Sequence, residues 1–446
     1  MKNTSYTFIL GISIFLMCAL MDNPLVAQTQ LSLLQAHEYA IKNSFAVKNT
    51  TFDAEVARKN TQELIASGLP QVDGSASFMH NIYAPYSIIP AGSFGPNEQR
   101  IRFQQPFNLT LGVTATQLLF SGTWLVGLEA SKSYELLLQS SIDKTEQETK
   151  DQVSDLYYLA LVTNENIKVL EKSRASMDKT LLETTALFQA GYAEQQDVDQ
   201  INLALSQLSI QIAYARDQQT NAMRMLKFAI GMPFTEEITL TDTVDSLIST
   251  DTNSLLMAPF DPSINVDYKL VKQGLTMQHL NVKAKKAAYL PSLVGYMTIQ
   301  TQAQRNSFSF FDTAQPYLYG NFWGLSLNVP ILSGGQRKYA TQKAAVEVKR
   351  LETQLTFVQQ QAQLGYESAR IELNNANQMF MMAKQSMDLA QQLYDQESIR
   401  YKEGMSSSFD LTSRNTNLIS AQGNYIQSML KLLQSKNKLA KALGQY

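Results

Sequence analysis

Residues 107–115 read FNLTLGVTA. The odd positions, Phe107, Leu109, Leu111, Val113 and Ala115, are apolar, and the even ones, Asn108, Thr110, Gly112 and Thr114, are polar or small. Side chains alternate across a strand, so this pattern predicts a strand with one apolar and one polar face. A second stretch, 317–329, puts Tyr317, Tyr319, Trp323, Leu325, Leu327 and Val329 on one face. Gly320, Gly324, Ser326 and Asn328 lie opposite, with Leu318 and Phe322 as exceptions. Residues 72–83 and 293–302 are weaker partners that complete two pairs. Strands of about ten residues match a tilted bilayer crossing. The alternative is a half-buried soluble sheet.

Outward from the strands, the chain says the same thing twice. Leu69-Pro70, Ser121-Gly122, Gly191 and Gly231 recur in order as Leu290-Pro291, Ser333-Gly334, Gly404 and Gly444. Gly122 to Gly191 is 69 steps and Gly334 to Gly404 is 70; Gly191 to Gly231 and Gly404 to Gly444 are both 40. Only the strand-pair interval varies, 52 steps from Pro70 to Gly122 against 43 from Pro291 to Gly334. Such self-similarity fixes an internal duplication.

Each copy opens on a helical pattern, about 31–67 and 265–289, stopped by Gly68 and Pro70 or by Pro291, because proline removes a donor and clashes with the preceding turn. Irregular loops, 84–100 with its Pro and Gly and 303–316 with Phe308, Phe310 and Phe311, separate the paired strands and carry the length difference. After each Ser-Gly the period becomes helical. Val153, Leu156, Ala160, Ile167, Leu170, Met177 and Leu181 follow spacings of three and four, as do Ile201, Leu205, Leu208, Ile212 and Ala215. Leu411, Leu418, Tyr425, Leu432 and Leu439 fall at sevens, a coiled-coil seam. At 1.5 Å per residue, 123–190 would be a rod about 100 Å long. Gly191 and Gly404 mark the turns of helical hairpins, where glycine takes positive φ easily. The methionine row Met379–Met382, with Phe380 inside it, is expected to pack in a seam rather than to carry metal.

The domain reading is therefore a leader over 1–27, a first repeat over 28–231, an acidic linker over 232–264 and a second repeat over 265–446. The leader follows from Lys2, the apolar run 8–21 and the small Ala27 before Gln28. That run is too short for a membrane helix. Cys18, the only cysteine, lies inside it, after Phe15, Leu16 and Met17, which is no lipidation context. With net charge −2 and three scattered histidines, no nucleic-acid stripe, metal site, cofactor site or catalytic constellation is expected.

Four strands cannot close a barrel with a lumen, and an open edge in lipid leaves backbone groups unpaired. The fold class expected is mainly α with a membrane β-barrel portion. Long helical hairpins form a periplasmic tunnel, and chains share one barrel with Asn108, Thr110, Thr114, Ser326 and Asn328 facing its lumen. A pore-free periplasmic coiled coil and a secreted hydrolase are the competing readings; the alternating strands oppose the first, and the absence of a paired acid constellation opposes the second.

The chain resembles the TolC family of outer-membrane efflux channels over nearly its full mature length. The resemblance is carried by Leu69-Pro70 and Leu290-Pro291, and by Leu119-Phe120-Ser121-Gly122 and Ile331-Leu332-Ser333-Gly334. The turns Phe188–Tyr192 and Tyr401–Met405, each followed six residues after its glycine by Asp197 or Asp410, complete it. It implies a homotrimer with a twelve-strand barrel in the outer membrane of a Gram-negative bacterium. Its implied partners are a periplasmic adaptor, an inner-membrane pump and outer-membrane lipid. The implied function is a passive exit duct for small molecules such as drugs or metals, with protein export in a type I system as the alternative. The resemblance also implies a constriction at the hairpin turns. There Asp410 matches one acid of the family, while Ser413 replaces a second. Tyr401 matches a latching aromatic whose basic partner is replaced by Ser406, and Asp197 is the first-copy equivalent of Asp410. Gly191, Tyr192, Gly404 and Met405 are the expected adaptor contacts. Asp197 and Asp410 also fit simple first-turn acids of the returning helices.

Overall fold

The alternating stretches fold into one antiparallel sheet, embedded in a chain that is otherwise helical. The computed structural model describes residues 29–83, 86–92, 95–102, 104–249 and 252–445; the expected leader and Cys18 lie outside them. The first copy runs β1 (Thr29–Leu31), α1 (Leu33–Asn43), α2 (Phe45–Ala66), β2 (Gln71–His80), β3 (Ser87–Ile89) and β4 (Gln99–Ile101). It continues with β5 (Phe107–Ser121), α3 (Gly122–Gln189) and α4 (Gln195–Ile230). A connector holds β6 (Ile238–Leu240), α5 (Val244–Ile248) and α6 (Thr252–Met257). The second copy is α7 (Val266–Ala287), β7 (Ser292–Arg305), β8 (Leu318–Asn328), α8 (Gln336–Lys402) and α9 (Ser408–Ala442).

Contacts divide the chain into two compact units that cut across the two copies. One comprises 53–139 and 270–356; the other comprises the residues up to 52, 140–269 and 357–446. Among the described residues, no helix is long and apolar enough to cross a membrane.

In the first of these units the sheet order is β2-β5-β7-β8, antiparallel throughout. β5 and β7 are longer than the alternation alone suggested, 15 and 14 residues. Thr114 faces Asp73 on one side and Thr298 on the other, and Thr298 faces Phe322. Val113 faces Gly74 and Ile299, and Thr301 faces Tyr319. Directly paired residues share a face, so parity propagates across all four strands. A register shift at Leu118/Phe120 bends the β5–β7 ladder near the start of α3. The outer edges of β2 and β8 have no strand partner among the described residues.

The loop over 84–100 is not wholly irregular, since β3 and β4 pair within it. The second loop folds its rings onto the sheet's end. Phe308 and Phe310 meet Phe78 edge-on at 5.8 and 5.9 Å, and Tyr317 Oη donates to the Phe310 carbonyl. At the other strand ends, Trp124 Nε1 donates to the Leu64 carbonyl at 2.9 Å and Lys283 pairs with Glu129.

The second unit is built on the two helical hairpins, α3 with α4 and α8 with α9. Their seams bury the residues that the periodicity picked out: Met177, Ile201 and Leu411 pack in one cluster, and Leu170, Leu208 and Ile212 in another. Val153, Tyr157, Leu226, Ile230 and Leu433 form the largest cluster. Each such apolar side chain contributes about 1.5–3 kcal/mol on leaving water.

Three expectations need correction here, and the connector is more ordered than its acidity alone suggests. The opening helix is two helices, α1 and α2, because Ser44 is extended (φ −60°, ψ 142°). That break lets Gly231, at the end of α4, lie against the Asn43 carbonyl. The Ser-Gly landmarks are not equivalent: Gly122 starts α3 directly after β5, whereas Gly334 and Gly335 both take positive φ in a turn between β8 and α8. The acidic connector holds short elements of its own and is tied to the helices. β6 pairs in parallel with β1, and Asp242 Oδ2 accepts from Leu33 N at 2.7 Å and from Tyr157 Oη at 2.8 Å. Tyr366 Oη caps the Ala258 carbonyl, while Lys436 Nζ donates to that of Ile248 at 2.6 Å. Beside this girdle, burial, with Lys150 second, holds the His37 imidazole down to about 4. Finally, of the methionine row only Phe380 packs, stacking on Tyr425 at 5.5 Å, while Met379, Met381 and Met382 are exposed on the single chain. The three methionines thus take no part in the seam of their own hairpin, which only Phe380 joins.

Candidate functional site: the sheet face and the hairpin ends

The sheet carries one polar and one apolar face, set by parity. On the polar face lie Asp73, Ser75 and Ser77 of β2, Asn108, Thr110 and Thr114 of β5, Thr298, Gln300 and Gln302 of β7, and Ser326 and Asn328 of β8. All five residues expected to face water therefore share one face. Thr114 and Thr298 hydroxyls bond across the strands at 3.1 Å. The apolar face holds Val72, Phe78, Leu109, Leu111, Val113, Met297, Ile299, Trp323 and Leu325, most of them exposed on the single chain. A water-filled interior and a lipid-facing exterior account for such a sheet.

At the hairpin ends the two turns share one geometry. Gly191 (φ +78°) lets Tyr192 N–H reach the Leu187 carbonyl at 2.8 Å. Gly404 (φ +72°) lets Met405 N–H reach the Arg400 carbonyl at 2.9 Å. Both are six-to-one closures that satisfy orphan helix carbonyls and need a left-handed residue. Tyr192 is 84% exposed and Met405 59% exposed, so both are presented at the turns.

The acids cap the returning helices. Ser407 is the N-cap of α9; its hydroxyl accepts from Asp410 N at 3.1 Å and donates to Asp410 Oδ2 at 2.7 Å. Asp197 Oδ2 accepts from Glu194 N at 3.1 Å in the equivalent turn of α4. Both carboxylates stay exposed or half-exposed, as does Ser413. The capping role is thus visible in the geometry.

Just behind the turns, α3 and α8 are tied together. Tyr401 Oη hydrogen-bonds Thr184 Oγ1 at 3.1 Å, and Lys402 Nζ donates to Glu183 Oε1 at 3.3 Å. Burial raises the Tyr401 phenol pKa, with the Asp197 carboxylate adding to it and the Thr184 bond opposing it, so the hydroxyl stays protonated. Ser406 donates to the buried Glu397, which also pairs with Arg400 at 3.6 Å. Sequence reasoning missed Thr184, Glu183 and Glu397, because only three-dimensional pairing of the two copies singles them out. It also missed Asp73, whose parity was hidden by the weak alternation of β2.

Two helical stripes in the hairpin unit are largely exposed among the described residues, with Phe228 alone touching Phe45, at 6.4 Å between ring centroids. On α4, Leu203, Ile210, Tyr214 and Phe228 are exposed; on α8, Leu364, Ile371, Met379, Met382 and Leu389 are exposed. Their spacings of three, four, seven and eight, with one of fourteen, keep each stripe on one side of its helix, as in the buried seams. Among the described residues, no group of three or more His, Cys, Asp or Glu side chains could hold a metal ion.

Comparison with known proteins gives a consistent result. A family model described as outer membrane efflux protein matches residues 36–232 and 272–445. The outer membrane protein TolC of Vibrio cholerae serotype O1 is 21% identical over 353 residues, covering 74% of this chain and 77% of the relative. Among solved structures, CusC superposes with a TM-score of 0.72 at 16% identity, covering 93% of this chain and 92% of that one. The open state of the MtrE channel of Neisseria gonorrhoeae gives 0.70 at 16% identity, with coverage of 92% and 88%.

Proposed function

Because the chain belongs to the outer membrane efflux protein family, we propose that three copies close one barrel and that the resulting duct receives its cargo from an inner-membrane pump through a periplasmic adaptor. The protein itself is an outer-membrane efflux channel with a periplasmic helical tunnel. The observation that carries the trimer is the four-stranded sheet, polar on one face and apolar on the other, with both edges unpaired among the described residues. Joining β8 of one chain to β2 of the next removes every edge, which lipid requires. The exposed stripes on α4 and α8 then bury against neighbouring copies, which gives Met379 and Met382 their packing role between chains. Family members are channels rather than enzymes, and the duct needs no cofactor to conduct.

The repeats 28–231 and 265–446, joined by 232–264, supply two quasi-equivalent hairpins per chain and hence a pseudo-sixfold tunnel. Asp410 and Asp197 ring its end, and the Tyr401–Thr184 and Lys402–Glu183 ties hold the end closed. Gly191, Tyr192, Gly404 and Met405 meet the adaptor. A photo-crosslinking residue at Tyr192 or at Met405 should capture a periplasmic protein in intact cells. Capture from sheet positions alone, with none from the two turns, would overturn the assignment of the adaptor surface.

A further inference from the structure

The sheet's polar face is almost without formal charge. Across β2, β5, β7 and β8 the only carboxylate is Asp73, and the only other ionisable groups apart from tyrosines are His80 and Arg305, both on the opposite parity. Asp73 is exposed and lies in the row Asp73–Thr114–Thr298–Phe322. The adjoining row is Gln71–Thr116–Tyr296–Gly324. Tyr296 lies over Gly324 so closely that a Cβ there would come within 2.6 Å of the phenol oxygen. The polar face therefore carries a carboxylate and two aromatic rings, Tyr296 and Phe322, within two adjacent rows near the start of β2. Elsewhere on that face the side chains are mostly small hydroxyls and amides.

We propose that Asp73, repeated in each chain at the level of Tyr296 and Phe322, forms a cation-preferring selectivity ring inside the barrel, separate from the acids at the hairpin ends. The proposal rests on the trimeric reading above. Twelve strands about 4.8 Å apart and tilted by about 40° make a backbone circle roughly 24 Å across. Three carboxylates then stand about 8 Å from the axis, close to one Debye length at physiological salt. With water in the lumen, their summed field enriches a monovalent cation about two- to threefold at the axis and depletes an anion by the same factor. No lysine or arginine on the face offsets that field. The rings narrow the passage at the same level, so cargo passes close to the carboxylates. A charge on an edge strand also discourages mispairing, a role that would leave permeation untouched.

The test places a cysteine at Ser75, two residues along the same face, in a Cys18→Ser background. Outer-membrane trimers are treated from the external side with a cationic and an anionic thiol reagent of matched size. With Asp73 present, the cationic-to-anionic rate ratio should exceed that of Asp73→Asn by roughly fivefold at about 0.1 M salt, and the difference should largely vanish at about 1 M. Asp73→Glu should keep the ratio and Asp73→Lys should invert it. Equal ratios in all four chains would overturn the ring while leaving the duct reading intact. A cysteine at Ser75 that neither reagent reaches, in chains that still form trimers, would place this face away from water and defeat both.

Discussion

Gly231→Ala is expected to cost the folded chain about 3 kcal/mol or more, enough to lose assembled protein at growth temperature. Gly231 ends α4 with φ +76°, and its N–H bonds back to Lys227 and Phe228. A non-glycine residue in the left-handed region costs about 1–2 kcal/mol. The second part is steric: a Cβ at Gly231 would strike the Asn43 carbonyl, which is backbone and held by the break between α1 and α2. Gly191→Ala is the matched control. It has φ +78° but nothing within 4 Å of the added carbon, so it should cost only the conformational part. Urea titration of reconstituted protein would separate the two; equal losses would mean that the Asn43 contact yields without cost.

Val113→Arg should remove the protein from the outer membrane, whereas Thr114→Arg should leave it there with altered conductance. The two residues are neighbours on β5 with opposite parity. Val113 shares its face with Ile299, and Thr114 shares its face with Thr298. An arginine on the lipid face near the bilayer midplane costs about 2–4 kcal/mol. Three copies in one barrel raise that to roughly 6–12 kcal/mol per assembly. The readout is the amount of heat-modifiable trimer in the outer-membrane fraction. Loss with Thr114→Arg and tolerance of Val113→Arg would reverse the two faces.

Much of this architecture is legible in the residues because each element meets a simple environment. β5 alternates cleanly since one face meets lipid and the other meets water, and the helical seams show as sevens because each pair of helices buries one stripe. Where two demands overlap, the pattern fades. β2 carries Gly74, Ser75, Ser77 and His80, so its parity, and with it the place of Asp73, needs the register with β5. The break at Ser44 has no glycine or proline to announce it; packing of Gly231 against Asn43 accompanies it. β1 and β6 are three residues each, too short for any periodicity. Ser121-Gly122 and Ser333-Gly334 look alike in sequence, yet a strand running straight into α3 gives one a helical conformation and a turn gives the other a positive φ. The methionine row reads as a seam, yet Met379, Met381 and Met382 are exposed on the single chain. At the hairpin ends the acids were legible from their place after the glycines, but Tyr401–Thr184 and Ser406–Glu397 depend on how the two copies meet.

The central claim is that β8 of one chain completes its sheet on β2 of the next. In a Cys18→Ser background, cysteine at Ser75 is combined in turn with cysteine at Phe322, Gly324 or Ser326, all on the polar face. Within one chain β2 and β8 are separated by two strands, about 14 Å at the usual spacing. A disulfide bridges Cα atoms only within about 7 Å. Any bond must therefore join two chains. The account predicts that at least one combination gives covalent dimers and trimers on a non-reducing denaturing gel, collapsing to monomer on reduction, while no single cysteine does so. Monomer alone from every combination, in protein that still reaches the outer membrane, would contradict it.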